Sequence, residues 1–206
     1  MDGNNRWSKK NSLNNFTGYK HGADNLLKLT NYIFRNTETK YVSAFALSKN
    51  NLSRSVKIIN SIKKILSLYL DKIDKDKVEF NIRFIGNLSF LDVKVRKKIS
   101  ELGRIQNFNK TLIIFINYGG IEDIELASKN SKKYNKKFRN SISTFDLPDP
   151  DILIRSGGFH RISNFMLYQI AFTEIFFYKK LWPEVKIQDL KTVIHKFRNI
   201  ERKFGK

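Results

Sequence analysis

Two short clusters in this sequence have the residue types needed to grip phosphate. Arg155-Ser156-Gly157-Gly158 is followed by Arg161-Ile162-Ser163-Asn164, and near the start Asp2-Gly3-Asn4 precedes Arg6-Trp7. Glycines let backbone N–H groups approach an anion closely, and two arginine forks can hold a diphosphate bidentately. A carboxylate beside Gly and Asn suits a hydrated Mg2+ that bridges to phosphate oxygens. Each cluster alone is weakly specific, because Arg/Gly turns are common. Other chemistries lack their signatures: there is no Gly-x-x-x-x-Gly-Lys-Ser/Thr loop, no Gly-x-Gly-x-x-Gly and no nucleophile elbow. His21, His160 and His195 stand apart without metal-ligand spacing, and the absence of cysteine removes any disulfide or thiolate metal site.

The elements that must position these clusters read as an α/β pattern. Apolar runs predict strands over Tyr41–Leu47, Phe80–Ile85, Leu112–Asn117, Asp151–Ile154 and Glu174–Tyr178. Amphipathic spacing predicts helices over Asp24–Phe34, Ser55–Ile73, Leu91–Leu102, Ile121–Lys137, Ser163–Phe172 and Ile187–Arg202. This alternation implies one domain over residues 1–206, with a central, mostly parallel sheet flanked by helices. Ligands bind such sheets beyond the carboxyl ends of the strands. Polar clusters fall there: Ser48–Asn51, Gly86-Asn87, Tyr118-Gly119-Gly120 and Arg155–Gly158. Ile58, Ile62, Ile65, Tyr69 and Ile73 form an apolar stripe at helical spacing. It fits a core-facing helix and the wall of an apolar tunnel equally well, since both need the same residues.

Composition narrows the partners. With 39 Lys and Arg against 19 Asp and Glu the net charge is +20, which favours anionic partners: nucleic acid, anionic lipid or phosphorylated substrates. Drift of surface positions toward lysine produces the same excess. No nucleic-acid motif is present, so no nucleic-acid partner is expected. No apolar run reaches the length of a membrane span, and Met1-Asp2-Gly3-Asn4 is not the start of a secretion signal. The expected address is the cytoplasm, with peripheral contact at the inner membrane face.

Five ordered motifs then carry a resemblance that runs nearly end to end. Met1–Trp7 is similar to MDGNGRW, and Phe45–Arg54 to YAFSTENWxR. Arg83–Gly86 matches RFIG, and Asn117–Gly120 matches NYGG. Asp151–Phe165 is similar to DLxIRTGGExRxSNF, with Glu174 and Leu181-Trp182-Pro183 following in order. The chain resembles the bacterial cis-prenyltransferases, especially undecaprenyl diphosphate synthase. The aspartate-rich DDxxD pairs of the trans-prenyltransferases are absent.

The resemblance implies a single α/β domain with an apolar tunnel for the prenyl chain, a homodimer, and Mg2+ as cofactor. It implies condensation of isopentenyl diphosphate with an allylic prenyl diphosphate such as farnesyl diphosphate, with undecaprenyl diphosphate as product. By this resemblance Asp2 positions Mg2+ and the allylic diphosphate. Gly3, Asn4 and Arg6 help hold that diphosphate, and Trp7 borders the site. Asn51 takes part in proton removal, while Ser48 and Arg54 contact substrate. Arg155, Arg161 and Ser163 grip isopentenyl diphosphate. Glu174 and His160 contribute to the metal site.

Several positions depart from the family pattern. Asn5 replaces a glycine, Asn15 an arginine, Tyr19 a histidine, and Asn50 and Leu52 a Glu and a Trp. Ile58 and Phe159 each replace a glutamate, and Asn87 an aspartate. Family members carry an apolar strand just upstream of the first motif, so the sheet is expected to lack one strand and Asp2 to lie on a frayed terminus. A second reading follows from these departures: a homologue that no longer catalyses and serves as a partner subunit.

Overall fold

The computed structural model describes residues 1–52, 56–72, 78–104 and 107–203. Three parallel strands form the larger sheet: β1 (Tyr41–Ser48), β2 (Asn81–Ile85) and β3 (Thr111–Tyr118), in the order β1-β3-β2. The central strand β3 is covered on both faces, with Leu112 and Phe115 wholly buried, as parallel strands under helices require. Its neighbours run in register, so Ser48 lies opposite Tyr118 and Ile85 opposite Phe115. All three carboxyl ends therefore point the same way. Two further strands, β4 (Ile152–Arg155) and β5 (Glu174–Phe177), make a separate parallel pair. The expected sheet thus comes in two parallel pieces, with no strand joining β1 to β4 among the described residues.

A cavity of about 1270 Å3 separates the two pieces. Val42, Ala44 and Leu47 of β1 line one side, and Ile152 and Ile154 of β4 another. Met1 also lines it, and burial there pushes its amine down to about 6.

Six helices surround the sheets: α1 (Asn4–Lys10), α2 (Asn15–Asn36), α3 (Val56–Lys72), α4 (Val93–Gly103), α5 (Gly120–Tyr134) and α6 (Ile187–Arg198). Sequence periodicity placed five of these. It missed α1, which is too short to show a repeat, and the first turns of α2, where Asn14 caps the helix by accepting from the Thr17 amide at 2.9 Å. The stripe on α3 divides its duties. Ile58 and Ile62 line the cavity, Ile65 is buried, and Tyr69 donates to Asp24; Ile73 falls outside the described residues.

The helix expected over Ser163–Phe172 does not form. Ser163, Asn164 and Met166 all have positive φ, at 57°, 63° and 47°, which a right-handed helix excludes. Tertiary bonds set this path: the Asn164 carbonyl accepts from the Gly120 amide, and its side chain accepts from the Ile121 amide, each at 2.8 Å. The apolar residues that suggested a helix still reach the core. Met166 is buried, and Phe165 stacks on Phe45 at 4.6 Å.

Helix α1 sits on α2 through two glycines one turn apart. A Cβ on Gly18 would lie 1.7 Å from the Ser8 hydroxyl and 2.7 Å from the Asn4 carbonyl. One on Gly22 would lie 2.2 Å from the Asn4 side-chain oxygen. In a free helix Gly18→Ala would gain about 1 kcal/mol of helix propensity. Here the fixed Asn4 carbonyl reverses the sign. Gly18→Ala is expected to destabilise the protein by about 1–3 kcal/mol, as an overpacked contact does, measured from urea unfolding midpoints; a stabilised variant would show that α1 is not packed this way.

Candidate active site

Asp2 is pinned, contrary to the expectation of a frayed terminus. Its amide donates to the Ser156 hydroxyl at 3.2 Å, that hydroxyl donates back to the Asp2 carbonyl at 3.1 Å, and the Trp182 amide donates to the same carbonyl at 2.9 Å. Gly3 then turns the chain into α1 with φ of 106°. A Cβ there would meet the Leu181 side chain at 2.8 Å, so both the turn and the close approach require glycine. Helix α1 presents Arg6 to the site. Trp7 instead packs toward α2, its ring 4.8 Å from that of His21.

Strand β4 ends at Arg155, which brings the second cluster to Asp2. The Arg155 guanidinium donates to the Asp2 carboxylate at 3.0 Å and to the Ser163 hydroxyl at 2.6 Å, and it also donates to the Arg161 carbonyl. Its side chain is only 12% exposed, and its Nε has no hydrogen-bond partner among the described residues. Arg6 donates to the Gly157 carbonyl at 2.7 Å and, more loosely, to Asp2 at 3.4 Å. Gly157 has φ of +94°, and a Cβ on it would lie 2.6 Å from the Arg6 guanidinium. The turn is held from behind, where the Gly157 and Gly158 amides donate to the Lys180 and Tyr178 carbonyls at 2.7 and 2.9 Å. The two sequence clusters, with Asp2 and Arg155 lying 153 residues apart, therefore form one cationic grip around a single carboxylate.

The cavity opens on this grip: Asp2, Asn4, Arg6, Arg155, Arg161 and Ser163 all line it. Ser48, the last residue of β1, and Asn51, at the end of the short turn Lys49–Asn51, line the same cavity. Tyr19 and Asn5 line it too, so those departures from the family pattern lie at the site. Asn15 opens α2. Arg54 falls outside the described residues.

A latch that sequence reasoning did not find joins the two rims. Lys49 pairs with Glu122 at 3.0 Å, and the Asn164 side chain donates to Glu122 at 3.1 Å. It ties the end of β1 to the start of α5 and to the loop bearing Arg161 and Ser163. The only sequence signal was Asn164 within the Ser163-Asn164-Phe165 motif. Burial opposes ionisation of Glu122, but its own backbone amide, Lys49 and Asn164 outweigh that and hold its carboxyl below the ordinary range.

The two further residues expected at the metal site are set at opposite ends of β5. Glu174 pairs with Ile152 at the start of β5, whereas Arg155 pairs with Phe177 at its end. Three residues of strand set Glu174 about 10 Å from the grip. His160 stacks on Phe177, with ring centroids 5.0 Å apart. Glu174 therefore does not meet Asp2 within one chain, and no group of three or more His, Cys, Asp or Glu suited to a metal occurs among the described residues. The oxygen donor at the grip that suits a hard cation is the Asp2 carboxylate. The side-chain oxygens of Asn4 and Asn5 are buried without hydrogen-bond partners among the described residues, and that of Asn4 packs against Gly22 of α2.

A parallel α/β fold with arginines, glycine turns and a carboxylate at the mouth of a large, partly apolar cavity defines an enzyme class that handles phosphorylated substrates with an apolar body. Residues 1–205 match the sequence model of the family described as "Putative undecaprenyl diphosphate synthase". The isoprenyl transferase of Rickettsia typhi is 35% identical over 217 residues, covering 100% of this chain and 95% of that protein. A geranylgeranyl-diphosphate-specific tritrans,polycis-undecaprenyl-diphosphate synthase from Pyrobaculum aerophilum is 33% identical, covering 100% of this chain and 93% of its own. The crystal structure of lavandulyl diphosphate synthase from Lavandula x intermedia, in complex with dimethylallyl diphosphate, superposes with a TM-score of 0.88 at 28% identity, covering 100% of this chain and 95% of that one. That of a probable undecaprenyl diphosphate synthase from Campylobacter jejuni gives 0.77 at 30% identity, covering 90% and 92%. The chain belongs to the cis-prenyltransferase (isoprenyl transferase) family.

The latch makes a pH prediction. Because the fold favours the Glu122 carboxylate, its contribution is present above the usual carboxylate pKa and is lost as pH falls through its lowered value. Between roughly pH 5 and pH 3, the unfolding midpoint of Glu122→Gln is expected to fall less steeply than that of the wild type. At neutral pH the variant should lose less than ~1 kcal/mol, because Lys49 is largely exposed. Identical acid limbs in urea titrations would show that the latch does not hold Glu122 ionised.

Proposed function

We propose that this prenyltransferase condenses isopentenyl diphosphate with an allylic prenyl diphosphate to give a long-chain polyprenyl diphosphate, undecaprenyl diphosphate in the reading closest to its relatives. The observation that carries this is the Asp2, Arg6, Arg155 and Ser163 cluster at the mouth of a cavity of about 1270 Å3. Diphosphates dock at the cationic mouth, and the apolar chain lies along Val42, Leu47, Ile58 and Ile62. Arg155, Arg161 and Ser163 hold isopentenyl diphosphate, while Gly3, Asn4 and Arg6 help hold the allylic diphosphate. Ordering both in one cleft makes their coupling effectively unimolecular. Asn51, at the rim beside Ser48, takes part in removing the proton after the new C–C bond forms.

Asp2 is the residue here that would hold Mg2+, together with diphosphate oxygens. When bound, the ion neutralises charge that builds on the departing diphosphate. The arginines serve the same developing charge from the other side, where it matters most. Asp2 is also their counter-ion, through its 3.0 Å contact with Arg155.

The primer is farnesyl diphosphate in this reading. A relative named as geranylgeranyl-diphosphate specific and a neighbour solved with dimethylallyl diphosphate mark the alternatives. The homodimer expected of the family is supported by an apolar face: Ile175 and Phe177 on β5 and nearby Phe172 are exposed. No helix among the described residues is long and apolar enough to cross a membrane. A cytoplasmic enzyme that meets the membrane at its surface fits that and the +20 charge.

Purified protein incubated with farnesyl diphosphate, radiolabelled isopentenyl diphosphate and Mg2+ should yield a polyprenyl ladder, resolved by chain length. Asp2→Ala is expected to lower the rate by about 10²- to 10³-fold. A wild type that is inactive with every allylic primer would instead make the chain a non-catalytic partner subunit.

A further inference from the structure

We propose that Phe159 is a positioning residue of the diphosphate grip, ordering three arginines on one aromatic ring. The guanidinium carbons of Arg161, Arg6 and Arg155 lie 4.3, 4.8 and 5.9 Å from its centroid. All three are within the reach of a cation–π contact. The left-handed Gly157-Gly158 turn, tied to Tyr178 and Lys180, delivers the ring to this place.

The three arginines depend on the ring unequally. Arg155 and Arg6 are already held by Asp2, Ser163 and Gly157. The Arg161 side chain makes no hydrogen bond or ion pair among the described residues, and its guanidinium lies on the Phe159 ring. A free arginine side chain carries about 2 kcal/mol of rotamer entropy. Ordering it beforehand lowers what a ligand must spend on binding. The motif that Asp151–Phe165 resembles has glutamate at this position, and a carboxylate there would draw the arginines by neutralising them. An aromatic face attracts them through its quadrupole and leaves their charge intact for an anion. Phe159 therefore holds the guanidinium groups around an anion site without occupying it.

This inference rests on the diphosphate reading above, and the test separates the two. Inorganic diphosphate would be titrated calorimetrically into wild type, Phe159→Leu, Phe159→Trp, Arg161→Ala and the Phe159→Leu/Arg161→Ala double variant. Phe159→Leu keeps the bulk but not the ring, and should bind about five- to tenfold more weakly. Phe159→Trp should bind as tightly as wild type or tighter. The double variant should be little weaker than Arg161→Ala alone, since the ring acts through that arginine. In turnover the Phe159→Leu loss should appear in KM for isopentenyl diphosphate rather than in kcat. Equal affinity of Phe159→Leu and wild type, equal losses in the Leu and Trp variants, or additive losses in the double variant would each overturn the role of the ring. Diphosphate affinity absent from the wild type would overturn the diphosphate reading itself. Phe159 is 39% exposed, so thermal melting should be unchanged and the comparison stays clean.

Discussion

The site depends on a small set of hydrogen bonds between the first residues and the turn after β4. Ser156 is buried, and its hydroxyl both accepts from and donates to the main chain of Asp2. The Trp182 amide closes the same attachment from the other side. These bonds place a carboxylate beside an arginine that is distant in sequence. They also set the direction in which α1 leaves, and α1 carries Arg6 back to the Gly157 carbonyl. The glycines follow from this closeness. At Gly3, Gly18, Gly22 and Gly157 a methyl group would displace a partner that the site needs.

The same closeness balances the electrostatics. A grip of like charges is unfavourable to assemble unless something offsets their repulsion. Asp2 does so for Arg155 and Arg6, and the Phe159 ring does so for Arg161. Arg155 is the least exposed of these groups and the most heavily bonded, which makes it the fixed point of the grip. The exposed Arg161 forms its adjustable arm. An incoming anion needs only to compete with Asp2 for cations that are already in place.

Beyond the grip, the parallel strands give a shared direction and the latch gives a shared rim. Ser48, Asn51 and the Arg161–Asn164 loop come from separate elements. Glu122 connects them by accepting from Lys49 on one side and Asn164 on the other. The cavity continues from that rim between the two sheet pieces, with Ile58 and Ile62 on its wall. Polar and apolar surfaces thus adjoin in one continuous space, as the proposed prenyl diphosphate substrate requires.

Much of this was legible in the sequence. Five strands and five of the six helices follow from residue periodicity, because burial of one face imposes a repeat that a single chain displays. That Asp2–Trp7 and Arg155–Ser163 carry residue types able to hold an anion is also read from the sequence, and the structure brings the two clusters together. The sequence could not show that Asp2 is held firmly, because its partners Ser156 and Trp182 lie far along the chain. Nor could periodicity show that Ser163, Asn164 and Met166 leave the helical region, since bonds to Gly120 and Ile121 decide it. The separation of Glu174 from Asp2, the Glu122 latch and the three arginines around Phe159 were likewise settled only by tertiary structure. Local patterning records which face of an element is buried. Which side chains meet across 150 residues is fixed by strand register and close backbone approach, and neither leaves a periodic mark in the sequence.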